Sequence, residues 1–533
     1  MAVATAHCVA LEGAVGHLID VQVDVSQGMV ATSLVGRPDA SINEAKDRCR
    51  TAITNSRFTW PATRRVTILL SPADLPKRGT HFDLAIAVGV LAAADDKNTL
   101  REALEGTVML GELTLDGRLR TVPGVLAMTM AASARGFRRV FVPEPQAAEA
   151  ALVPGMSVFG FRSLAQVIAE LQGIEVPEAP PVDSNTSGAL LRWQGDNRLD
   201  EVDMADLLGM GDARYGMEVA AAGGHHILLT GPKGAGKTSL AERIPGILPD
   251  LSVDEALELT AILSLSGALD PDQGLIRRRP FFAPHHSASR ASLLGGGTGR
   301  VRPGELSRAH NGVLFLDEFP LINSDIIEAL RQPLESGEVT IARGEETATY
   351  PARGMFVLAC NPCRCGDYAP NPADDRCTCG ELKRREYRRK LEGPVIDRID
   401  ITRHVMPVRA HEAGDPLSRP ESSASVRERV VEARRIQSHR YDGLSWRVNG
   451  QAPGPMLRDL WPLTDEAAAE LDTTIYDGRL TRRGATRVHR LAWTVADLAG
   501  VEQPGAAELD VALRLRTGEA LPARVLSTMS AVG

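Results

Sequence analysis

Aromatic residues are scarce in this chain of 533 residues, where Phe, Trp and Tyr together make up 4%. Because proteins that bind single strands by stacking rely on aromatic platforms, extensive base stacking is not expected. A large charge excess of one sign is also missing, since the formal net charge is −8 at pH 7. Any contact with nucleic acid must therefore come from local basic segments and not from the overall field.

Long hydrophobic runs are absent too. The longest uninterrupted apolar stretch, Leu84–Ala94, is too short to cross a bilayer. The apolar N-terminus lacks a preceding basic segment, so we expect no signal peptide, no membrane contact and a cytoplasmic location. In that reducing compartment the seven cysteines are expected to be metal ligands or packing residues before disulfides.

One glycine-rich segment is the most informative part of the chain. It matches the phosphate-binding pattern G-x-x-x-x-G-K-[ST] and consists of Gly231, Pro232, Lys233, Gly234, Ala235, Gly236, Lys237 and Thr238. The apolar run 226–230 predicts a buried strand before this loop, and residues 238–243 predict a helix after it. We expect the loop to cradle ATP phosphates, with Lys237 on the β/γ oxygens and the Thr238 hydroxyl in a Mg²⁺ shell.

Two adjacent acids mark the second half of the predicted ATP site. The segment 312–318, GVLFLDE, reads as an apolar strand that ends in Asp317 and Glu318. The carboxyl ends of strands in an open parallel sheet face the ligand crevice. We expect Asp317 to hold Mg²⁺ through water and Glu318 to polarise the water that attacks the γ-phosphate.

Two further segments offer polar groups for the same chemistry. Asn361 ends a third apolar strand, Met355–Cys360, and can orient the attacking water, although an Asn turn before Pro362 is the alternative. Arg398 lies just past the predicted core, where a guanidinium can reach the γ-phosphate of a neighbouring subunit. An ordinary surface salt bridge is the alternative for Arg398.

Composition divides the chain into three blocks and a linker. Residues 1–172 alternate strand-like and helical segments, which predicts an α/β or α+β domain. Residues 173–189 are rich in proline and serine and predict a linker. Residues 190–404 carry the nucleotide motifs and a cysteine-rich insert at 360–380, and residues 405–533 predict a mostly helical domain.

Several individual elements can be predicted from hydrophobic periodicity and turn residues. In the first block these are strands at Leu18–Val25 and Arg65–Leu70, a buried helix at Phe82–Ala94 and a hairpin at Leu113–Leu119. In the last block amphipathic helices are predicted at Ser425–His439, Thr464–Tyr476 and Arg482–Leu498.

Four cysteines form two close pairs in the insert. One residue separates Cys363 from Cys365 and Cys377 from Cys379, and eleven residues lie between the pairs. Four thiolates in a tetrahedron suit structural Zn²⁺. The spacing departs from the usual C-x₂-C, so a reduced cysteine-rich loop or a redox pair is the alternative.

The order of these motifs resembles that of an AAA+ ATPase. Segments similar to the magnesium-chelatase-like branch are RPFFAPHHSAS (279–289), GGG (295–297), RPGELS (302–307), AHNG (309–312) and NPC (361–363). Segments similar to the narrower YifB/ComM family are DLPK (74–77), FDL (82–84) and GELTLDGR (111–118). The resemblance covers nearly the whole chain.

The resemblance implies an α/β fold in which a P-loop AAA+ core, a parallel sheet flanked by helices, carries a C-terminal helical lid. It also implies a homo-hexameric ring with ATP sites between subunits. By position, Asn361 would be the sensor 1 residue, Arg398 the arginine finger and Arg483 the sensor 2 residue, with Arg482 as the other choice for sensor 2. The better-studied family members are DNA helicases that promote branch migration.

The first block resembles the proteolytic domain of Lon proteases. Those enzymes carry a nucleophilic serine shortly after a Pro-Lys-x-Gly segment, but His81 stands at the matching place in this chain. Thr80 is adjacent, and the sequence identifies no activating partner for it. Because acyl chemistry needs an activated nucleophile, we expect this domain to be non-proteolytic.

Two pore-loop candidates follow from the resemblance, because related ATPases point a hairpin from this place into the central channel. Residues 332–349 predict a strand, a turn and a strand, with Arg343 placed to touch a DNA phosphate. The glycine-rich segment 292–302 is the second candidate and ends in Arg300 and Arg302. A simple surface hairpin is the alternative for the first.

Two other segments have a DNA-binding interpretation. The basic cluster 383–390 can bind a DNA backbone, but a solvated helix flank at a subunit interface is the preferred interpretation. For His285 and His286 a hydrogen-bonding or DNA-proximal loop is preferred over a metal site. An ATP-driven motor on single-stranded or branched DNA is the leading hypothesis. A magnesium chelatase ATPase subunit and a protein-remodelling or regulatory ATP switch are the alternatives.

Overall fold

A computed structural model describes residues 3–182, 199, 201–267, 269, 274–297, 301–343, 346–368, 376–391, 393–407 and 420–528. The strands of the first block are β1 Ala4–Glu12, β2 Val15–Ser26, β3 Thr32–Val35, β4 Arg65–Ser71, β5 Thr107–Met109, β6 Glu112–Leu113, β7 Leu119–Arg120, β8 Arg139–Pro143 and β9 Ser157–Phe161. Its helices are α1 Ala40–Asn55, α2 Asp83–Ala94, α3 Thr99–Ala103, α4 Val125–Ala134, α5 Ala147–Ala150 and α6 Leu164–Gln172.

The first block is built on a mixed seven-stranded sheet in the order β3-β4-β2-β1-β5-β8-β9. Helix α2 packs against β1, β2 and α1, and its residues from Asp83 to Ala93 are buried. This burial on every side explains why its sequence is an apolar run and not an amphipathic pattern. The predicted strands and buried helix of this block are confirmed, as is the hairpin, in which Leu113 pairs with Leu119.

The central block forms a second, parallel sheet. The strands of the central block, inside and outside this sheet, are β10 Ile227–Thr230, β11 Phe281–Phe282, β12 Gly295–Gly296, β13 Arg302–Pro303, β14 Val313–Leu316, β15 Glu338–Arg343, β16 Glu346–Pro351, β17 Met355–Cys360 and β18 Ile401–His404. Its helices are α7 Gly211–Gly223, α8 Lys237–Glu242, α9 Ile244–Ile247, α10 Val253–Ser266, α11 Arg290–Leu293, α12 Glu305–Arg308, α13 Ser324–Ala329, α14 Arg331–Ser336 and α15 Glu381–Arg389. The five-stranded sheet has the order β11-β14-β17-β10-β18, with every neighbour parallel.

The last block is helical where it is described. Its helices are α16 Ser423–Arg440, α17 Gly454–Leu460, α18 Asp465–Tyr476, α19 Arg482–Ala499, α20 Ala506–Thr517 and α21 Ala523–Thr528. The three amphipathic helices predicted there are confirmed as α16, α18 and α19. Apolar residues of α16, α19 and α20 share one buried cluster with α7 and β10, so this helical block packs directly on the parallel sheet.

The first block also packs on the central one. Helix α4 lies against α10, and Leu126 and Leu265 belong to the same buried cluster. At the edge of this contact the Ser264 hydroxyl donates to Glu149 Oε1 over 2.6 Å. Burial raises the pKa of the Glu149 carboxyl, against the lowering effect of that hydrogen bond. In addition, the turn between β1 and β2 touches β16, where Gly13 approaches the Thr349 backbone.

One prediction about this block is wrong in part. Residues 332–336 belong to α14 and not to a strand, because the helix begins at Arg331 and continues to Ser336. Gly337 then ends the helix in the left-handed region, with φ of 70°. The predicted hairpin begins only at Glu338.

Among the described residues no helix combines the length and the apolar character that a bilayer crossing demands.

Candidate functional site

The glycine-rich loop (Gly231–Thr238, hereafter the P-loop) connects the carboxyl end of β10 to the start of α8. Gly234 and Gly236 have φ of 77° and 90°, which L side chains rarely adopt. At Gly231 a Cβ would lie 2.0 Å from the Val405 carbonyl oxygen, so only glycine fits there. The glycines of the pattern are thus required by the path of the backbone, which wraps the N-terminus of α8.

Lys237 is the cation of this loop, and its ammonium group is surrounded by oxygen atoms. Its Nζ donates to the carbonyl oxygens of Gly231 and Pro232, over 2.7 and 2.9 Å, and to Asn361 Oδ1 over 2.9 Å. Burial lowers the pKa of Lys237, while the nearby Asp317 carboxylate opposes that shift. None of these three hydrogen-bond acceptors is charged, so the ammonium charge remains to be balanced by phosphate oxygens.

Thr238 and Asp317 meet at the carboxyl edge of the sheet, as the sequence analysis predicts. The Thr238 hydroxyl donates to Asp317 Oδ2 over 3.2 Å. A hydroxyl and a carboxylate side by side are the oxygen ligands that Mg²⁺ binds together with nucleotide phosphates. The residues present therefore fit a Mg²⁺ ion bound along with ATP.

Glu318 lies beside this pair in an uncommon backbone conformation. Its φ is 49°, in the left-handed region, and its N–H donates to Asp317 Oδ1 over 2.8 Å. Non-glycine residues in this region are typical of functional sites, where the surrounding structure holds them. The two neighbouring acids have different partners, since Asp317 accepts from Thr238 and Glu318 lies beside His286.

The Glu318 carboxylate has a partner that the sequence analysis did not identify. His286 Nδ1 lies 3.2 Å from Glu318 Oε2. His285 instead lies 2.6 Å from the Ser287 hydroxyl, and the two imidazole rings are 4.1 Å apart. The preferred interpretation of this pair as a hydrogen-bonding loop agrees with these contacts. The order of the strands brings the two side chains together. His286 follows β11, and β11 pairs with β14, the strand that ends before Asp317.

A cavity lies at the opposite edge of the parallel sheet, away from the P-loop. It has a volume of about 830 Å³ and is lined at the amino ends of the strands by Gly224, His226, Gly312, Met355 and Asp400. The arginines on its wall include Arg279, Arg353, Arg434, Arg483, Arg487 and Arg490. Because of these arginines, we call it the arginine cavity.

Arg483 lines the arginine cavity and not the P-loop. It is exposed in the first turn of α19, next to Arg487, whose Nη1 donates to Asp400 Oδ1 over 2.5 Å. Since Asp400 directly precedes β18, this contact fixes α19 at the amino edge of the sheet. Arg483 therefore lies toward the amino end of β10, whereas the P-loop follows the carboxyl end of that strand.

Arg398 also lies near the amino edge, in the turn before β18. Its side chain is largely buried and forms an ion pair with Glu335, which lines the arginine cavity. Its Nη1 donates to the Pro394 carbonyl oxygen over 2.5 Å, while its Nε has no hydrogen-bond partner among the described residues. The guanidinium thus has partners in its own chain for Nη1 and Nη2 but none for Nε among the described residues.

The two predicted pore-loop segments lie in contact with each other. The hairpin β15–β16 pairs Val339 with Tyr350, and the Tyr350 hydroxyl donates to the Val301 carbonyl oxygen over 2.8 Å. Ile341 of the hairpin packs against Gly295 in segment 292–302, the second pore-loop candidate.

The three arginines assigned to DNA are described to different extents. Arg302 is exposed and pairs with Gly296 across β12 and β13. Arg343 ends β15, but its side chain lies outside the described part of the chain, and Arg300 lies outside the described residues altogether.

The four cysteines of the insert come together, and we call them the cysteine cluster. Their sulfur atoms all lie within 4.8 Å of one another, and the cluster is the one group of potential metal ligands found among the described residues. The Cys363 and Cys365 sulfurs are 3.2 Å apart. An amide hydrogen bond from Asp367 lowers the pKa of Cys365 to about 6. The arrangement is therefore a possible four-thiolate metal site.

The two residues of the first block that were compared with a protease nucleophile both have partners in the fold. His81, at the position of the expected nucleophile, is buried with Nε2 2.9 Å from the Val9 carbonyl oxygen. Thr80 has a partner that sequence analysis missed, because its hydroxyl donates to the Glu112 carboxylate. The prediction of a non-proteolytic domain remains a prediction.

Together the five-stranded order, the P-loop and the acids after β14 define an ATPase core of the AAA+ class. The family model described as magnesium chelatase, subunit ChlI, matches residues 203–413. The model of subunit ChlI of Mg-chelatase matches residues 21–146, and that of the subunit ChlI C-terminal region matches residues 420–516.

Full-length relatives place the chain more narrowly. It is 39% identical to YifB of Escherichia coli over 498 residues, 93% of this chain and 94% of YifB. It is 37% identical to competence protein ComM of Haemophilus influenzae over 504 residues, 94% of this chain and 95% of ComM. The chain belongs to the YifB/ComM family of magnesium-chelatase-like AAA+ ATPases. The magnesium-chelatase 38 kDa subunit of Rhodobacter capsulatus is 27% identical over 164 residues, 28% of this chain and 46% of that subunit.

Proposed function

We propose that this protein is an ATP-hydrolysing motor that acts on single-stranded or branched DNA in the cytoplasm, as a helicase that promotes branch migration. In this proposal the chain assembles into a homo-hexameric ring and uses Mg²⁺ with ATP, and the cysteine cluster holds structural Zn²⁺. The observation that carries the proposal is the division of the ATP machinery between the two edges of the parallel sheet.

The P-loop, Asp317 and Glu318 lie at the carboxyl edge, whereas Arg398 and Arg483 lie toward the amino edge. Strand β10 alone spans four residues, or about 13 Å at the usual rise per residue. This separation is what we expect if the arginines of one chain meet the triphosphate held by a neighbouring chain. A closed ring supplies such a neighbour to every site.

Each residue of the site has a distinct part in hydrolysis under this proposal. Lys237 neutralises the phosphate oxygens, and Glu318 orients and deprotonates the attacking water. Asn361, held by Lys237, positions the same water. Thr238 and Asp317 would hold Mg²⁺, which would supply positive charge to the phosphate oxygens. Arg398 and Arg483 of the adjacent chain add positive charge where it develops in the transition state.

The contact between the hairpin β15–β16 and segment 292–302 supports DNA as the substrate. Both segments extend from the ATPase core at one place, and Arg302 is exposed there. A pair of loops that carries arginine can hold phosphates without reading sequence, which suits a translocating motor. The printed name of the relative ComM, a competence protein, is in keeping with a role in DNA processing.

A magnesium chelatase ATPase subunit is the second candidate. Its support is the similarity to the 38 kDa subunit, which reaches only 28% of this chain. The argument against it is that YifB and ComM match this chain over 93% and 94% of its length. Co-purification with porphyrin-binding proteins would favour this candidate. Capture of a client protein without DNA binding would favour a protein-remodelling switch.

The decisive experiment measures ATP-dependent processing of a synthetic branched DNA. We expect the purified chain to move the branch point only with ATP and Mg²⁺, and the Lys237→Ala variant to bind DNA without moving it. DNA should also stimulate phosphate release by the unaltered protein. A chain that hydrolyses ATP at the same rate with and without DNA, and displaces no strand, would contradict the proposal.

Removal of the Arg302 guanidinium is expected to weaken DNA binding uniformly across sequences. For Arg302→Ala the slope of log affinity against log salt should fall by about 1 for each arginine that contacts a phosphate. Titrations of labelled single-stranded DNA at several salt concentrations measure this slope. Phosphate release without DNA should stay unchanged. The matched control is Arg435→Ala, an exposed arginine paired with Glu432 on α16.

A further inference from the structure

We propose that one Zn²⁺ in the cysteine cluster ties the loop after β17 to helix α15 and thereby holds Asn361 and the P-loop in their hydrolytic arrangement. Zinc would then control ATP turnover from outside the phosphate site. This inference rests on the proposed ATPase activity, but not on the proposal that the substrate is DNA.

The geometry of the cysteine cluster fits a single tetrahedral ion. The Cys363 sulfur lies 3.2 Å from that of Cys365 and 3.5 Å from that of Cys377, and the Cys365 and Cys377 sulfurs are also 3.5 Å apart. Thiolates around Zn²⁺, with bonds of about 2.3 Å, lie about 3.8 Å from one another. A disulfide would need about 2.05 Å. On binding, the sulfurs coordinate as thiolates and release their protons to solvent.

The first cysteine pair belongs to the loop that faces the P-loop. Cys363 lies two residues after Asn361, and its carbonyl oxygen accepts from the Gly366 N–H over 3.1 Å. Gly366, with φ of 89°, approaches Lys233 so closely that an added Cβ would lie 3.1 Å from the Lys233 Cβ. The loop that contains Cys363 and Cys365 therefore rests directly on the P-loop.

The second pair leads into helix α15, which reaches the same asparagine. Cys379 lies two residues before α15, and Tyr387 of this helix is buried within hydrogen-bonding reach of the Asn361 backbone amide. Arg384 and Arg388 stack on Tyr368, with guanidinium carbons 5.1 and 4.6 Å from the ring centre. Helix α15 thus contacts the loop that contains Asn361, but only through side chains, which can change rotamer and lose the contact.

A bound ion would convert these contacts into a fixed connection. Four metal–sulfur bonds join the two sides of the insert, whose apolar content is too small to form a core of its own. The connection matters for hydrolysis because Asn361 Oδ1 accepts from Lys237 Nζ. A shift of the loop moves the side chain that orients water and releases the P-loop cation at the same time.

The test compares metal content, nucleotide binding and turnover in the full-length protein. The variants are Cys365→Ala and Cys379→Ala, and Cys49→Ala in the first block is the control, since Cys49 is buried away from the cluster. We expect one zinc per chain, by elemental analysis, in the unaltered protein and the control but not in the two variants. Turnover of the zinc-free variants should fall about 10-fold or more, the size seen when supports of a metal site are lost.

Zinc removal from the unaltered protein provides a second test, in case the variants fold poorly. Treatment with a chelator should lower the rate of phosphate release, and zinc should restore it, with thermal melting used to check that the protein stays folded. Cobalt in place of zinc should give the visible absorption of a tetrahedral thiolate site.

Three outcomes would overturn the inference: a zinc-free native protein, disulfides in the cluster, or turnover that zinc loss leaves unchanged. Failure of the DNA motor proposal would appear separately, as unaltered zinc content and zinc-dependent turnover without strand displacement.

Discussion

Glu318→Gln should lower ATP turnover by about 10² to 10⁴-fold, the usual contribution of a positioned general base. The amide keeps the shape of the side chain but cannot accept the proton of the attacking water. ATP should still bind with nearly normal affinity, because the P-loop and Thr238 are untouched. Phosphate release and equilibrium binding of a fluorescent ATP analogue measure the two effects separately.

The matched control for this substitution is Glu328→Gln, which removes an exposed carboxylate that is paired with Arg331 on a nearby helix. ATP turnover by the Glu328→Gln protein should stay within about 2-fold of normal, as expected for the loss of a surface ion pair. Near-normal turnover in Glu318→Gln would mean that another group activates the water. His286, 3.2 Å from Glu318, would then be the next side chain to replace.

Arg398→Ala should reduce turnover by about 10³ to 10⁵-fold, the range for an arginine that neutralises transition-state charge. The effect must appear in trans if the arginine belongs to the neighbour's site. We therefore expect an inactive Arg398→Ala protein and an inactive Lys237→Ala protein to regain phosphate release when they are mixed. In such a ring the first variant supplies an intact P-loop and the second supplies the arginine.

Mixtures that stay inactive at every ratio, although sizing shows that the subunits exchange, would place Arg398 outside the neighbour's site. Because Arg398 is buried and paired with Glu335, a melting curve must accompany the measurement. Arg398→Lys is the conservative comparison. It keeps the charge but loses the planar fork that binds two oxygens, so it should recover only part of the rate.

The ATP site could be predicted from sequence because its parts are local. The P-loop follows its strand directly, and Asp317 ends the strand that precedes it, so adjacent residues carry the whole signal. The edge of the sheet on which each motif lies follows from strand direction. For this reason the contacts of Lys237 with Asn361 and of Thr238 with Asp317 agree with the predicted arrangement.

Contacts that depend on strand order or on an unpredicted helix could not be predicted. His286 reaches Glu318 only because β11 pairs with β14, and periodicity does not give strand order. The partner of Arg398, Glu335, lies on α14, a helix that was predicted as part of a strand. Pro333 and the polar residues around it gave no apolar pattern of helical period, so the sequence signal for this helix was weak.

The contact between Gly13 and the hairpin has a mechanical consequence. A Cβ at Gly13 would lie 2.6 Å from the Thr349 carbonyl oxygen, so the two backbones touch without any side chain between them. Because no side chain separates the two backbones, a displacement of the hairpin would displace the turn of the first domain as well. If the proposed motor moves this hairpin during hydrolysis, the first domain would move with it.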